Sequence, residues 1–128
     1  MNRDDCRVND DRRPAVWVGH VAMHARDPRR THDFFLELGM TSVFHNEAIA
    51  ITELRGGTHL IIQAGSPTPG DVAFDLMVDD LAAFRADLVA RGIEAGEIVG
   101  DEIHDHFVVV DPDGQRVVIN NSHVVGPV

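Results

Sequence analysis

The chain has 128 residues, 44% of them hydrophobic, which suits one folded domain with its own core. Its formal charge of -10, from 21 acidic against 11 basic residues, disfavours nucleic acid and anionic membranes as partners and leaves neutral, metal-bound or cationic small molecules open. Every basic residue is Arg, which excludes lysine Schiff-base and general-base chemistry; Tyr is absent and the single Cys6 cannot close an internal disulfide.

Residues 1–15 carry four Asp and four Arg, bury almost nothing apolar and end beside Pro14, so they read as a disordered tail. Cys6 in that tail lacks a positioned base and is not read as a nucleophile. The opening residues lack the apolar segment of a signal peptide, and no run approaches the ~18 apolar residues of a membrane span, so a cytoplasmic protein is expected.

From residue 16 onward one domain is expected, built as a repeat of two modules over about 16–64 and 71–121. In the first, the alternating run VWVGHVAMHA meets Asp27, then the helical stretch PRRTHDFFLEL, then Gly39. In the second, DVAFDLMV meets Asp80, then LAAFRADLVAR, then Gly92, with twelve residues from Asp to Gly in both copies. Asp27 is placed to cap free N–H groups, Pro28 suits the first helical position, and Gly39 offers the left-handed conformation that stops the helix. Asp79 or Asp80 and Gly92 repeat this arrangement. Phe34, Phe35 and Leu38 form one apolar stripe and Leu81, Phe84, Leu88 and Val89 the other, so each helix is expected to pack on a sheet.

Three strands are predicted after each helix. They are Thr41–Phe44, Ala48–Leu54 and Thr58–Gln63 in the first module, with Gly56 and Gly57 turning the hairpin. In the second they are Ile93–Val99, His104–Val110 and Arg116–Asn120, with a turn at Asp111, Pro112, Asp113 and Gly114. Ser, Pro and Gly in 65–70 mark the linker. The expected fold is α+β, two βαβββ modules in one chain forming a cleft.

The segments GHVAMHARDPRRTHDFFLELGM, FDLMVDDLAAFRADLVARGI and VVVDPDGQRVVI, in that order and spacing, resemble the vicinal oxygen chelate superfamily of glyoxalases, bleomycin-resistance proteins and extradiol dioxygenases. The resemblance runs from about Val18 to Asn120 and implies a glyoxalase-like fold whose cleft holds a small ligand, usually around a divalent metal. Carried over residue by residue, the four usual metal positions fall on His20, Ile61, Ala73 and Val118. Three of the four are hydrocarbon, and an ion held by one imidazole and water is weakly bound.

Side chains alternate across a strand, so positions two away from each lost ligand share its face. On that parity the cleft receives His20 and His24, His59 and Gln63, Asp71 and Asp75, and Asn120. His104 and His106 lie on one face of one strand about 7 Å apart, two rises of ~3.4 Å, within reach of one ion or one anionic substrate. The resemblance supports that position, since fosfomycin-resistance members place substrate-binding residues at positions matching His106 and Val108. Asp75 between Phe74 and Leu76 is read as outward-facing or functional, because a buried unpaired carboxylate is costly. His32 and His45 are read as solvated or capping residues, and His123 follows the last strand.

These residues lead to an expected enzyme of lyase, isomerase or oxygenase type. His20 and His59 hold a divalent transition metal (Zn, Fe, Ni, Cu or Mn), His106 and Asp75 move protons, and His24, Gln63, His104 and Asn120 bind substrate. The alternative is a metal-free drug- or metabolite-binding protein of the bleomycin-resistance type. A homodimer is expected from the resemblance and from exposed strand edges.

Overall fold

Both helices begin and end on the same devices. In the computed structural model, which describes residues 12–100, 105–124 and 128, α1 (Pro28–Glu37) is capped by Asp27, whose side chain accepts from the Arg30 N–H. Helix α2 (Leu81–Ala90) is capped by Asp80, which accepts from the Ala83 N–H. At the other end Gly39 and Gly92 adopt φ of 109° and 85°. The residue after each glycine then reaches back, Met40 N–H to the Phe35 carbonyl and Ile93 N–H to that of Leu88, which closes the helix in a Schellman motif.

Strands β1 (His20–Ala25), β2 (Thr41–His45), β3 (Ile49–Glu53) and β4 (His59–Ala64) form one sheet in the order β1-β4-β3-β2. Strands β5 (Leu76–Val78), β6 (Val99–Gly100), β7 (Asp105–Val110) and β8 (Arg116–Asn121) form the second in the order β5-β8-β7-β6, the same topology. In each sheet the first strand runs parallel to the last, which the intervening helix makes possible, and the other pairings are antiparallel.

Alternation gives each sheet a core face and an open face. Met23, Ala25, Ala50, Leu60 and Ile62 are buried in the first sheet, and Phe107, Val109, Val117 and Ile119 in the second. Phe35 and Leu38 from α1 and Leu81 and Leu88 from α2 complete the core. His20, Ala22 and His24 take the opposite face of β1, and the β1–β4 register sets them level with His59, Ile61 and Gln63.

Four local expectations are corrected. The first strands are shorter than the apolar runs suggested: residues 16–19 lie outside β1 with Trp17 71% exposed, and β5 starts at Leu76 with only a bridge from Asp71 to Arg116 before it. Residues 93–98 are not a strand, because Arg85 takes the Ala95 and Gly96 carbonyls and Gly96 N–H donates to Val108 instead. Val89 is half exposed and leaves the apolar stripe of α2. His32 is not solvated: it is buried, with Nδ1 2.8 Å from Asp33 Oδ1 and Nε2 2.8 Å from Ser42 Oγ, so both ring nitrogens are satisfied. His45 ends β2, and its ring packs edge-on against that of His32.

Candidate functional site

The open face of the first sheet is read most easily in rows across the strands. One row holds His20, His59 and Glu53, a second Ala22, Ile61 and Ile51, and a third His24, Gln63 and Ile49. In the first row the His20 and His59 rings meet edge-on with centroids 5.8 Å apart, and His59 Nε2 lies 2.9 Å from Glu53 Oε1. The carboxylate fixes the ring by that contact, and both side chains keep contact with water. His24 in the third row lies against Gly65, where an added Cβ would stand 2.9 Å from its Cδ2.

The second sheet presents Met77, Asn120, His106 and Val99 in one row, with Val118 and Val108 in the next. Asn120 is 4% exposed and donates from Nδ2 to Asp75 Oδ2 at 3.0 Å, which fixes a solvent-facing carboxylate from a buried amide. His106 is half-buried and pairs with Asn120 across the strands. Its expected partner His104 lies outside the described residues, as does Cys6. His123 is exposed beyond β8.

Ion pairs fasten the modules at three places: Arg91, after α2, donates to the carboxylate and the carbonyl of Glu37 at the end of α1, at 2.8 Å each, and two more pairs lie at the hairpin turns. Arg26, after β1, reaches the turn between β7 and β8, where Asp113 accepts from its backbone N–H and its guanidinium. Arg55, in the 3-10 turn between β3 and β4, grips Asp79 at the end of β5 with two bonds of 3.2 and 2.8 Å. That bidentate contact holds the Asp79 carboxyl below its ordinary range, by hydrogen bonding first and charge second. Beside it a pocket of about 250 Å3 is lined by Leu54, Asp75, Met77 and Val78, among others.

Sequence reasoning missed Glu53, Met77 and the six residues of the three ion pairs between modules. The first was readable in principle: Glu53 and His59 flank a glycine hairpin turn at positions that pair directly in an antiparallel ladder.

The profile of a family described as a glyoxalase-like domain matches residues 20–120. This chain belongs to that glyoxalase-like family. Its fold is shared by a lactoylglutathione lyase from Agrobacterium tumefaciens at 15% identity, with a TM-score of 0.72 over 86% of this chain and 96% of that one. It is shared equally by a bleomycin-binding protein solved in complex with bleomycin, at 22% identity and TM-score 0.66 over 85% of this chain and 100% of that one. A glyoxalase/bleomycin resistance protein/dioxygenase superfamily member from Sphaerobacter thermophilus matches at 17% identity and TM-score 0.70, covering 84% and 98%. No curated protein matches the sequence.

The superfamily's usual chelate positions can now be placed in this glyoxalase-like chain. His20 and Ile61 lie on the open face of the first sheet, and Val118 on that of the second. Ile61 and Val118 have no donor atom, nor has Ala73, and among the described residues no three His, Cys, Asp or Glu side chains converge as a metal site. His20 and His59 supply two imidazoles, but the next acid, Glu53, is spent on His59. The residues present do not fit the usual chelate.

Proposed function

We propose that this glyoxalase-like protein binds a small organic ligand with a positively charged end, in the cleft formed by the open faces of its two modules and without the superfamily's usual metal. The observation that carries this reading is the Asp75 carboxylate, solvent-facing yet fixed by the buried Asn120 amide and bordering a pocket walled by Leu54, Met77 and Val78. A preordered carboxylate beside apolar walls is the arrangement that holds an amine or quaternary ammonium with an apolar body. His106, Gln63 and His24 are offered as further ligand contacts on the open faces, outside the lining of that pocket. The bleomycin complex of a relative with the same fold supports the class of ligand, and the net charge of -10 draws cations to the cleft.

The test is calorimetric titration with benzyltrimethylammonium and with benzoate as probes. Binding of the cation, no binding of the anion, and loss of cation binding by at least about tenfold in Asp75→Asn support the reading. Equal response to both probes, or an unchanged affinity in Asp75→Asn, overturns it.

A second reading is favoured by the edge-on contact of His20 with His59 and the Glu53 carboxylate behind it. These are the parts of an acid–base or displaced metal centre, for an enzyme of lyase, isomerase or oxygenase type with His106 and Asp75 as proton carriers. Metal content of untagged protein, measured by plasma mass spectrometry beside His20→Ala and His106→Ala, decides it. Near-stoichiometric metal lost in either variant supports the metalloenzyme, and trace metal in all three samples overturns it. On either reading a homodimer is proposed, since each sheet ends in edge strands, β1 and β2 in the first and β5 and β6 in the second.

A further inference from the structure

Of the three contacts that fasten the modules, the two at the hairpin turns occupy equivalent places and carry opposite polarity, whereas Arg91 and Glu37 have the uncharged Leu38 and Ala90 as their equivalents in the repeat. In each module the residue before the helix-capping aspartate, Arg26 or Asp79, meets the hairpin turn of the other module. The partner in that turn stands before a glycine of matching conformation: Asp113 before Gly114 at φ 86°, and Arg55 before Gly56 at φ 87°. At these two turns module 1 therefore contributes two cations and module 2 two anions, while the Arg91–Glu37 pair runs the other way.

We propose that this reversal is a pairing code, by which module 1 accepts module 2 and refuses a second copy of itself. Two copies of module 1 meeting by the same edges would set Arg26 against Arg55, and two copies of module 2 would set Asp79 against Asp113. The apolar contacts between modules discriminate far less. Phe35 packs on Phe74 with centroids 6.1 Å apart, and the equivalent of Phe74 in module 1 is Val21, which is also apolar. Hydrophobicity thus allows the repeat to pair with itself, though with a smaller side chain at this contact, and charge supplies the penalty that forbids it. A second copy of this chain fits the junction in one way only, by reciprocal exchange that again puts module 2 on module 1.

The code has a specific test on the full chain, because the double variant Arg55→Asp/Asp79→Arg keeps both native ion pairs attractive while making both like-module pairings attractive too. The quadruple variant, which adds Arg26→Asp and Asp113→Arg, restores repulsion between like modules. Each protein is unfolded in urea and refolded at millimolar concentration, where association between chains competes with the tethered partner, and is then sized by light scattering. Like-module pairing leaves the other module of each chain unused, so it grows open-ended assemblies.

The expected result is wild type and quadruple variant as monomer or closed dimer only, with at least about fivefold more material above dimer size in the double variant. The double touches only side chains that are 60% and 73% exposed, so its fold is not at stake. Arg26→Asp/Asp113→Arg makes the same forecast by the other contact. Doubles that size like wild type, or a quadruple that assembles like the doubles, overturn the proposal.

Discussion

Asn120 and Asp75 form a pair in which the buried partner orders the exposed one: the amide is 4% exposed and donates to the carboxylate at 3.0 Å. The two side chains should therefore separate in their effects. Asn120→Leu keeps the volume and frees Asp75 to rotate in water, so the fold changes by less than about 1.5 kcal/mol while affinity for a cationic probe falls severalfold. Asp75→Asn should leave unfolding by urea almost unchanged and remove most of the affinity. Calorimetry and urea titration on both variants check the difference, and an affinity unchanged in Asn120→Leu would mean that Asp75 needs no ordering.

Asp111 is the acid whose burial has thermodynamic consequences. It is 4% exposed, and its Oδ1 accepts from the N–H groups of Asp113 and Gln115 while Oδ2 has no partner among the described residues. Burial pushes its carboxyl above the usual range, against the pull of those two N–H groups. The folded protein then holds the proton more tightly than the unfolded chain, so stability falls as pH rises from the ordinary carboxylate value through the raised one. Asp111→Asn keeps an acceptor for both N–H groups and removes the charge. It is expected to flatten that acid-range slope and to be at least as stable as wild type at pH 7. Asp111→Ala strands both donors and should cost about 2 kcal/mol. Urea unfolding across pH 3 to 7 measures all three proteins.

Gly65 keeps room for the His24 ring. A Cβ there would stand 2.9 Å from His24 Cδ2, closer than atoms tolerate, and the ring is the part able to move. Gly65→Ala is therefore expected to turn His24 out of its place while the backbone bond from Gly65 N–H to the Ala25 carbonyl survives. The signature is a shifted His24 imidazole resonance with a loss of stability below about 1 kcal/mol. An unmoved resonance would show that the backbone yields instead.

What the sequence made legible was local. Asp27 with Gly39 and Asp80 with Gly92 mark their helices by capping chemistry that needs no partner from elsewhere, and the structure uses all four as expected. The repeat carried the topology because identical spacing implies identical connection. The failures arose where a distant side chain decides. Residues 93–98 alternate like a strand, but the Arg85 guanidinium claims carbonyls that a ladder would use. His32 reads as a surface helix residue until Ser42, ten positions on, meets its ring. The candidate site was legible by parity, which puts His20, His59 and Gln63 on one face, but the Glu53 contact and the Asn120 donor depend on register between strands. Arg55 with Asp79 lies further still from sequence logic, since it joins one module to the other.

The hydrocarbon at the superfamily's chelate positions also makes a positive forecast. If the cleft keeps the shared geometry, supplying the missing donors should create a metal site around His20. Ile61 and Val118 are half-buried and Ala73 is exposed, so each position admits a polar side chain that still reaches water or an ion. The triple variant Ile61→Glu, Ala73→His, Val118→Glu is expected to lose stability without metal, because two carboxylates enter partly apolar surroundings. With Zn or Ni it should regain that loss and carry about one ion per chain, since metal binding to a folded site is also folding free energy. Removing the first donor by adding His20→Ala should weaken metal binding by at least about tenfold. Thermal unfolding with and without metal, beside metal content, reads both effects. A triple variant that binds no more metal than wild type would show that the two open faces do not converge as they do in metal-binding members of the family.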